Sequence, residues 1–347
     1  MNRIDRRDFL RWLGAGVGGA VGSALLSACG QRATPLPTAT TLPPTPTHAP
    51  PTATLAPGET PPPTTAAPPT AVPTSAPPYI AVARGGDPEA LVERALSALG
   101  GIERFVRPGN DVIIKPNICI GYHSYEYAAT TNPWVVGALT RLCLGAGALR
   151  VRVMDYPFGS TADEAYIRSG IQEQVLAAGG EMELMTAFKF IATDLPDAVD
   201  LRRCDIYDDV LTTDVLINVP IAKHHNLARL TLGMKNLMGV IYDRPAMHAN
   251  LGQRLADLTS RIRPALTVID AVRILVDHGP TGGSLNDVRQ MDTLIASPDI
   301  VAADAYAAAT LFDMPPERLA YVEAGVAMGL GRSDLENLAI EEIAVGG

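Results

Sequence analysis

The 347 residues carry 28 Lys and Arg against 37 Asp and Glu, and from residue 79 onward the balance is 23 against 34, or −11. A surface that acidic repels phosphate backbones, which excludes nucleic acid as a main partner. The four cysteines, at positions 29, 119, 143 and 204, have no C-x-x-C spacing, which excludes a zinc knuckle or an iron–sulfur run.

In chain order, Asp5-Arg6-Arg7-Asp8-Phe9-Leu10-Arg11 matches a twin-arginine export signal, and a short glycine-rich apolar stretch follows from Trp12 to Leu26. It ends in Leu26-Ser27-Ala28-Cys29, which reads as a lipobox. Residues 1–29 are therefore expected to be a lipoprotein signal with Cys29 lipidated. The domain is expected outside the cytoplasm, touching the membrane only through its lipid. Residues 30–78 are expected to be a disordered Pro/Thr-rich stalk: from 31 to 78 there are 16 prolines and 13 threonines, and only Arg32 and Glu59 are charged. Fully extended at ~3.1 Å per residue, it reaches on the order of 150 Å.

Residues 79–347 read as one α/β domain. The predicted elements are a strand at 79–84, a helix at 88–99 capped by Asp87, and a strand at 111–115 ending at Pro116. A helix follows from Asn132-Pro133 to about Leu144, then a strand at 149–155 and a helical stretch at 161–178 broken near Gly170. A short strand is expected at 181–185 and a buried one at 215–219, stopping at Pro220. Residues 230–240 look helical. A helix at 251–261, strands at 265–274 and 291–296, and a helix at 299–311 complete the alternation. Strands alternating with helices imply a mainly parallel, doubly wound sheet. Cys119, Cys143 and Cys204 are expected as free thiols, with a single disulfide as the alternative.

In open α/β sheets, ligands sit beyond the carboxyl ends of the strands. Four predicted strands deliver polar groups there: Lys115-Pro116-Asn117, Asp155, Lys223-His224-His225 and Asp270. The chain uses 24 Arg but only four Lys, at 115, 189, 223 and 235. A lysine amine can lose its proton or form a covalent bond, which a guanidinium cannot. Against this stands the ordinary possibility that each merely snorkels from the edge of the fold. The segment 223–248 is the richest: Lys235 and Asn236 sit between Gly233 and Gly239, with His225 and His248 on either side. Each histidine alone reads equally as a structural one; two or three converging on Lys235 would not. Gly279-Pro280-Thr281-Gly282-Gly283 reads as a turn in preference to an anion nest.

The motifs KPN at 115–117, TNP at 131–133, GAxxVxVxD ending at Asp155, KHH at 223–225, TLGMKNLMG at 231–239 and IRPxLTVIDA at 262–271 resemble the domain of unknown function 362 family. The resemblance implies a fold but no reaction. Many members of that family add ferredoxin-like cysteine runs, which this chain lacks. The order His225, Lys235, His248 is similar, more distantly, to the nickel-pincer lactate racemase family. That likeness implies Lys235 as the tether of a nickel-bearing nucleotide, His248 as a metal ligand, and His225 with His123 as the acid–base pair.

Three functions follow. The leading one is an exported enzyme for a small anionic molecule with a metal or nucleotide-derived cofactor. In it Lys115, Asn117, Lys223, Asn236, Asp155 and Asp270 bind or orient, while Lys235, His225 and His123 react. The others are a solute-capture protein without turnover and an enzyme-fold relic. The enzyme requires His225 and His248 near Lys235 in one pocket, capture requires converging lysines, and a relic has lysines pointing apart.

Overall fold

The computed structural model describes residues 78–346. The expected export signal, Cys29 and the expected stalk up to residue 77 lie outside the described residues. Among those described, no helix is long and apolar enough to cross a membrane.

The described chain opens with strand β1 (Ile80–Arg84), helix α1 (Pro88–Ala98), strand β2 (Asp111–Pro116), helix α2 (Pro133–Gly145) and strand β3 (Arg150–Val153). Helices α3 (Ala162–Arg168) and α4 (Ile171–Ala177) follow, divided at Gly170, whose φ of 75° suits glycine. Next come strands β4 (Glu181–Met182), β5 (Phe190–Asp194) and β6 (Arg203–Tyr207), helix α5 (Asp208–Thr212), and strands β7 (Val215–Val219), β8 (Ile221–His225) and β9 (Arg229–Thr231). Helices α6 (Gly233–Asn236), α7 (Arg244–Met247) and α8 (Leu251–Arg261) lead to strands β10 (Leu266–Leu275) and β11 (Val288–Ser297). Helices α9 (Ile300–Phe312) and α10 (Ala320–Ala327) and strand β12 (Ile340–Ala344) complete the order.

The main sheet runs β12-β1-β11-β10-β7-β2-β3-β4, with β8 beside β10 and β9 beside β8. The run β10-β7-β2-β3-β4 is parallel, as are β1 with β12 and β8 with β10. Pairings β1–β11, β10–β11 and β8–β9 are antiparallel. The sheet is therefore mixed but mainly parallel. Strands β5 and β6 form a separate antiparallel pair.

Alternation along the strands explains why helices cover both faces. Val112 and Ile114 pack with α1, α2, α3 and α4, while Ile113 packs on the opposite side with α8, α9 and α10. Caps fix the helix entries: Asp87 accepts from Ala90 N, Asn132 from Trp134 N, and Asp299 from Val301 N and Ala302 N.

Two segments depart from the sequence expectation. The stretch 230–240 is not one helix: it begins as the end of β9, and the helical part starts only at Gly233. Residues 221–225, to which the sequence reading assigns no element, form a strand, because Pro220 interrupts a line that continues as β8 along the long β10. Strands β5, β6 and β12 and helix α10 have no counterpart among the predicted elements. Cys119, Cys143 and Cys204 are free thiols.

Helix α9 is apolar on nearly every side and buries one carboxylate, Asp304, which accepts from Gly233 N at 2.6 Å and Met234 N at 2.9 Å. This contact fixes the start of α6, and a Cβ at Gly233 would lie only 2.7 Å from Asp304 Oδ1. Burial raises Asp304 to about 7. The folded protein then keeps this proton up to about pH 7, while an unfolded chain releases it near pH ~4. Its contribution to stability is complete below pH ~4 and is lost as pH rises through about 7. Asp304→Asn should flatten the pH dependence of stability in that window, by on the order of a few kcal/mol. Urea midpoints measured across the window for both proteins check this; parallel curves would refute the buried proton.

Candidate functional site

The carboxyl ends of β2 and β3, together with β8 and the end of β9, meet α6 around a cavity of about 530 Å³. Its wall includes Lys115, Asn117, Cys119, Asp155, Lys223, His225, Thr231, Lys235, Asn236, Gly239, Arg244 and His248. Of the residues given a binding, catalytic, metal or lipidation role from the sequence, all but His123, Asp270 and Cys29 are on this wall, Cys29 lying outside the described residues. Lys189 and His224 are not on it either.

At the base, the Lys115 ammonium meets Asp155 Oδ1 at 2.8 Å, both side chains being almost completely buried. Lys115 Nζ also donates to Pro116 O at 2.8 Å and Asn236 Oδ1 at 3.0 Å. Asp155 accepts from Ile118 N at 2.6 Å and Tyr156 N at 2.9 Å. Burial lowers the Lys115 pKa, and the Asp155 charge opposes that shift. Asn236 Nδ2 donates to Asn218 Oδ1 at 2.9 Å, and Asn117 Nδ2 donates to Asn236 Oδ1 at 2.8 Å. Lys223 Nζ donates to Ala129 O at 2.6 Å and Asn117 Oδ1 at 3.0 Å, and lies 3.2 Å from Cys119 Sγ.

Lys235 is different. Its amine has no hydrogen-bond or ion-pair partner among the described residues, although Lys115 and Lys223 each have three. Its side chain is enclosed by protein yet open to the cavity. Burial first, and the Lys223 charge second, lower it to about 8. Thr231 Oγ1, also on the wall and buried, has no partner among the described residues either.

His225 is buried to 6% exposure, and its Nδ1 accepts from Leu227 N at 3.1 Å and Ala228 N at 3.2 Å. Two backbone donors on Nδ1 leave Nε2 as the nitrogen that carries the hydrogen. Burial, then the charges of Lys235 and Lys223, depress the ring to about 3, so it is neutral at physiological pH. In that tautomer Nε2 donates a hydrogen bond and cannot accept a proton. His225 thus stands in the wall as a neutral imidazole with the hydrogen on Nε2.

His123 and Asp270 are not brought to this wall. His123 stacks on Tyr127 with centroids 4.5 Å apart. Asp270 lies within β10, because that strand continues to Leu275, and its carboxylate accepts from Asn132 N at 2.7 Å and Val272 N at 3.0 Å. Burial raises it to about 6. It supports the start of α2 and does not face a ligand. His248 is exposed at the rim. Among the described residues, no group of three or more His, Cys, Asp or Glu could hold a metal ion. With Nδ1 of His225 engaged by two backbone amides, the described wall offers no set of three protein ligands that fits a metal ion. The Gly279–Gly283 segment is a turn, with Gly282 N donating to His278 O.

Sequence reading missed Arg244, Thr231 and Asn218. Arg244 donates to Tyr156 O at 2.6 Å and Pro157 O at 3.3 Å and lies over the Tyr156 ring. Burial lowers its pKa. Asn218 had a readable signal, as the one polar residue in the apolar run Val215–Val219. Once Lys115 and Asp155 cancel, Lys223, Lys235 and Arg244 leave the cavity cationic in an acidic domain.

Gly239 is what lets the polar base close. A Cβ there would collide with Asp155 Oδ1 and stand 2.5 Å from Lys115 Nζ. Gly239→Ala should cost at least the ~1–3 kcal/mol typical of overpacking, because a buried ion pair must separate to admit the methyl. Denaturant midpoints measure this; an unchanged midpoint would mean that the pair has room to shift.

A family model described as domain of unknown function (DUF362) matches residues 112–309. A thylakoid-associated protein of Synechocystis sp. is 26% identical over 262 residues, covering 71% of this chain and 77% of that protein. Among solved structures, the lactate racemase apoprotein from Thermoanaerobacterium thermosaccharolyticum overlaps with 11% identity and a TM-score of 0.38, over 61% of this chain and 53% of that one. A crystal structure of a Thermotoga maritima protein overlaps with 11% identity and a TM-score of 0.39, over 70% and 60%. The chain thus spans less than two thirds of either solved structure, and at these scores the overlaps specify neither ligand nor reaction.

Proposed function

The chain belongs to the domain of unknown function 362 family, whose name specifies no chemistry, and from the site itself we propose that the domain is an enzyme acting on a small anionic molecule held in the cavity. The observation that carries this reading is the contrast among the lysines. Lys115 and Lys223 are saturated by protein acceptors and build the site, whereas Lys235 faces the cavity with its donors unengaged. An enclosed ammonium without a partner is costly, and an anionic ligand removes that cost. His225 Nε2–H, the Thr231 hydroxyl and the remaining N–H groups of Arg244 are further donors to such a ligand. Tyr156, Phe158 and Tyr242 on the wall favour an anion with some apolar body.

Pure capture is the second reading. It is served by converging cations, but a lysine lowered to about 8 is ready to react at neutral pH, which capture does not require. A relic is disfavoured by the convergence of three lysines and two histidines on one wall. The Arg6-Arg7 motif and the Cys29 lipobox support an exported, lipid-tethered setting, with residues 30–78 as spacer.

Lys235→Met should weaken binding of small carboxylates or phosphate roughly 10- to 100-fold, the ~1.5–3 kcal/mol of a charged hydrogen bond. Lys189→Met should leave binding unchanged, since Lys189 pairs with Glu183 and Asp209 away from the cavity. Wild-type affinity should decline as pH rises through about 8, where the Lys235 charge is lost. Calorimetric titration reads all three; equal affinity in wild type and Lys235→Met would remove Lys235 from the ligand.

A further inference from the structure

We propose, building on the anion-binding reading, that the cavity takes a small carboxylate bearing a carbonyl, a 2-oxo acid, and that Lys235 Nζ forms a reversible imine with it. The cavity holds one amine whose lone pair and protons are uncommitted, and it holds donors suited to both ends of such a ligand. Lys115 and Lys223 cannot serve as the nucleophile: each ammonium has three acceptors, so attack would require breaking bonds that hold the base of the site together. Arg244 has N–H groups left for the carboxylate after its two bonds to Tyr156 O and Pro157 O. His225, fixed as a neutral Nε2–H donor, and the unpartnered Thr231 hydroxyl are donors to the carbonyl oxygen. A hydroxyl buried at the wall without a partner is itself an observation that a ligand would explain.

The step balances without an oxidant or reductant. The Lys235 ammonium first gives one proton to solvent. The amine then attacks the carbonyl carbon, a C–N bond forms, and the carbonyl π pair moves to oxygen, which takes up a proton. Nitrogen loses a proton, the oxygen gains a second one and leaves as water, and the nitrogen lone pair closes the C=N bond. Because the nitrogen still carries one hydrogen, this closure yields the iminium directly. The net change is ammonium plus ketone to iminium plus water. The lowering of Lys235 to about 8 makes the free amine accessible near neutral pH.

The experiment is reductive trapping on the full-length chain. The protein is incubated with pyruvate or 2-oxoglutarate and cyanoborohydride, and peptides are mapped by mass spectrometry. Because the chain has only four lysines, the site of any adduct is unambiguous. The expected result is one adduct per chain on the Lys235 peptide, absent from Lys235→Arg, and suppressed severalfold by glutarate, which lacks the carbonyl. The mapping is done on wild type, so it does not depend on the variant folding. Thermal shift by glutarate without an adduct from either 2-oxo acid would overturn the imine and leave the anion reading standing. Neither shift nor adduct would overturn both. Adducts spread equally over Lys115, Lys189, Lys223 and Lys235 would overturn the assignment to Lys235.

Discussion

The site depends on a buried ion pair, Lys115 with Asp155, at the junction of two parallel strands. Taking both charges out of water costs several kcal/mol per ion, and their mutual attraction offsets this only when the remaining donors and acceptors are also satisfied. Here they are. The ammonium is completed by Pro116 O and Asn236 Oδ1, and the carboxylate by Ile118 N and Tyr156 N. The backbone around Asp155 is held in turn by Tyr166, whose hydroxyl donates to Asp155 O. The ends of β2 and β3 and the Lys235 helix are thereby tied in one polar knot. Gly239 must remain without a side chain for the knot to exist.

From this knot follows a division of labour among the cations. Lys115 is neutralised, Lys223 is anchored to Asn117 and Ala129 O, and Lys235 is left open to the cavity. An arginine at 115 or 223 would carry five donors in a rigid fork, more than the acceptors present at either place. Lysine thus has a structural reason at two positions and, on the proposed imine chemistry, a chemical one at the third. Asp304 positions that third lysine from the other side of α6, through backbone amides and not by contact with the amine.

Much of this was legible because strand ends in a parallel sheet are punctuated. Pro116 and Pro220 stop their strands, and the polar residues beside them mark the crevice. Lys115, Asn117 and Lys223 were reached that way, while Lys235 and Asn236 stood out through the scarcity of lysine and the glycines on either side of them. Asp270 was misplaced by reading it as a strand end although the predicted strand 265–274 ran past it; β10 continues five residues beyond it. His123 could not be placed, since a loop residue carries no periodicity. Arg244 was hidden among 24 arginines. The tautomer of His225 depends on two backbone amides that the sequence does not position, so its residue type pointed to proton transfer where its geometry makes it a donor. The helical reading of 230–240 failed at its start because β8, itself unforeseen, recruits 229–231 into a hairpin.

The contrast between an acidic domain and a cationic cavity bears on which anions can enter. The long-range field of a net −11 domain opposes approach of any polyanion, and is screened beyond about 8 Å at physiological ionic strength. Inside the crevice, low-dielectric walls strengthen the attraction of Lys223, Lys235 and Arg244 at short range. A small anion crosses the repulsive shell at little cost and gains the full interior interaction. A polymer must keep most of its charge in the shell while offering one group to the cavity. On the proposed anion reading, the charge distribution would select by size and total charge before any individual hydrogen bond is made, and a cavity of about 530 Å³ would set the same limit sterically.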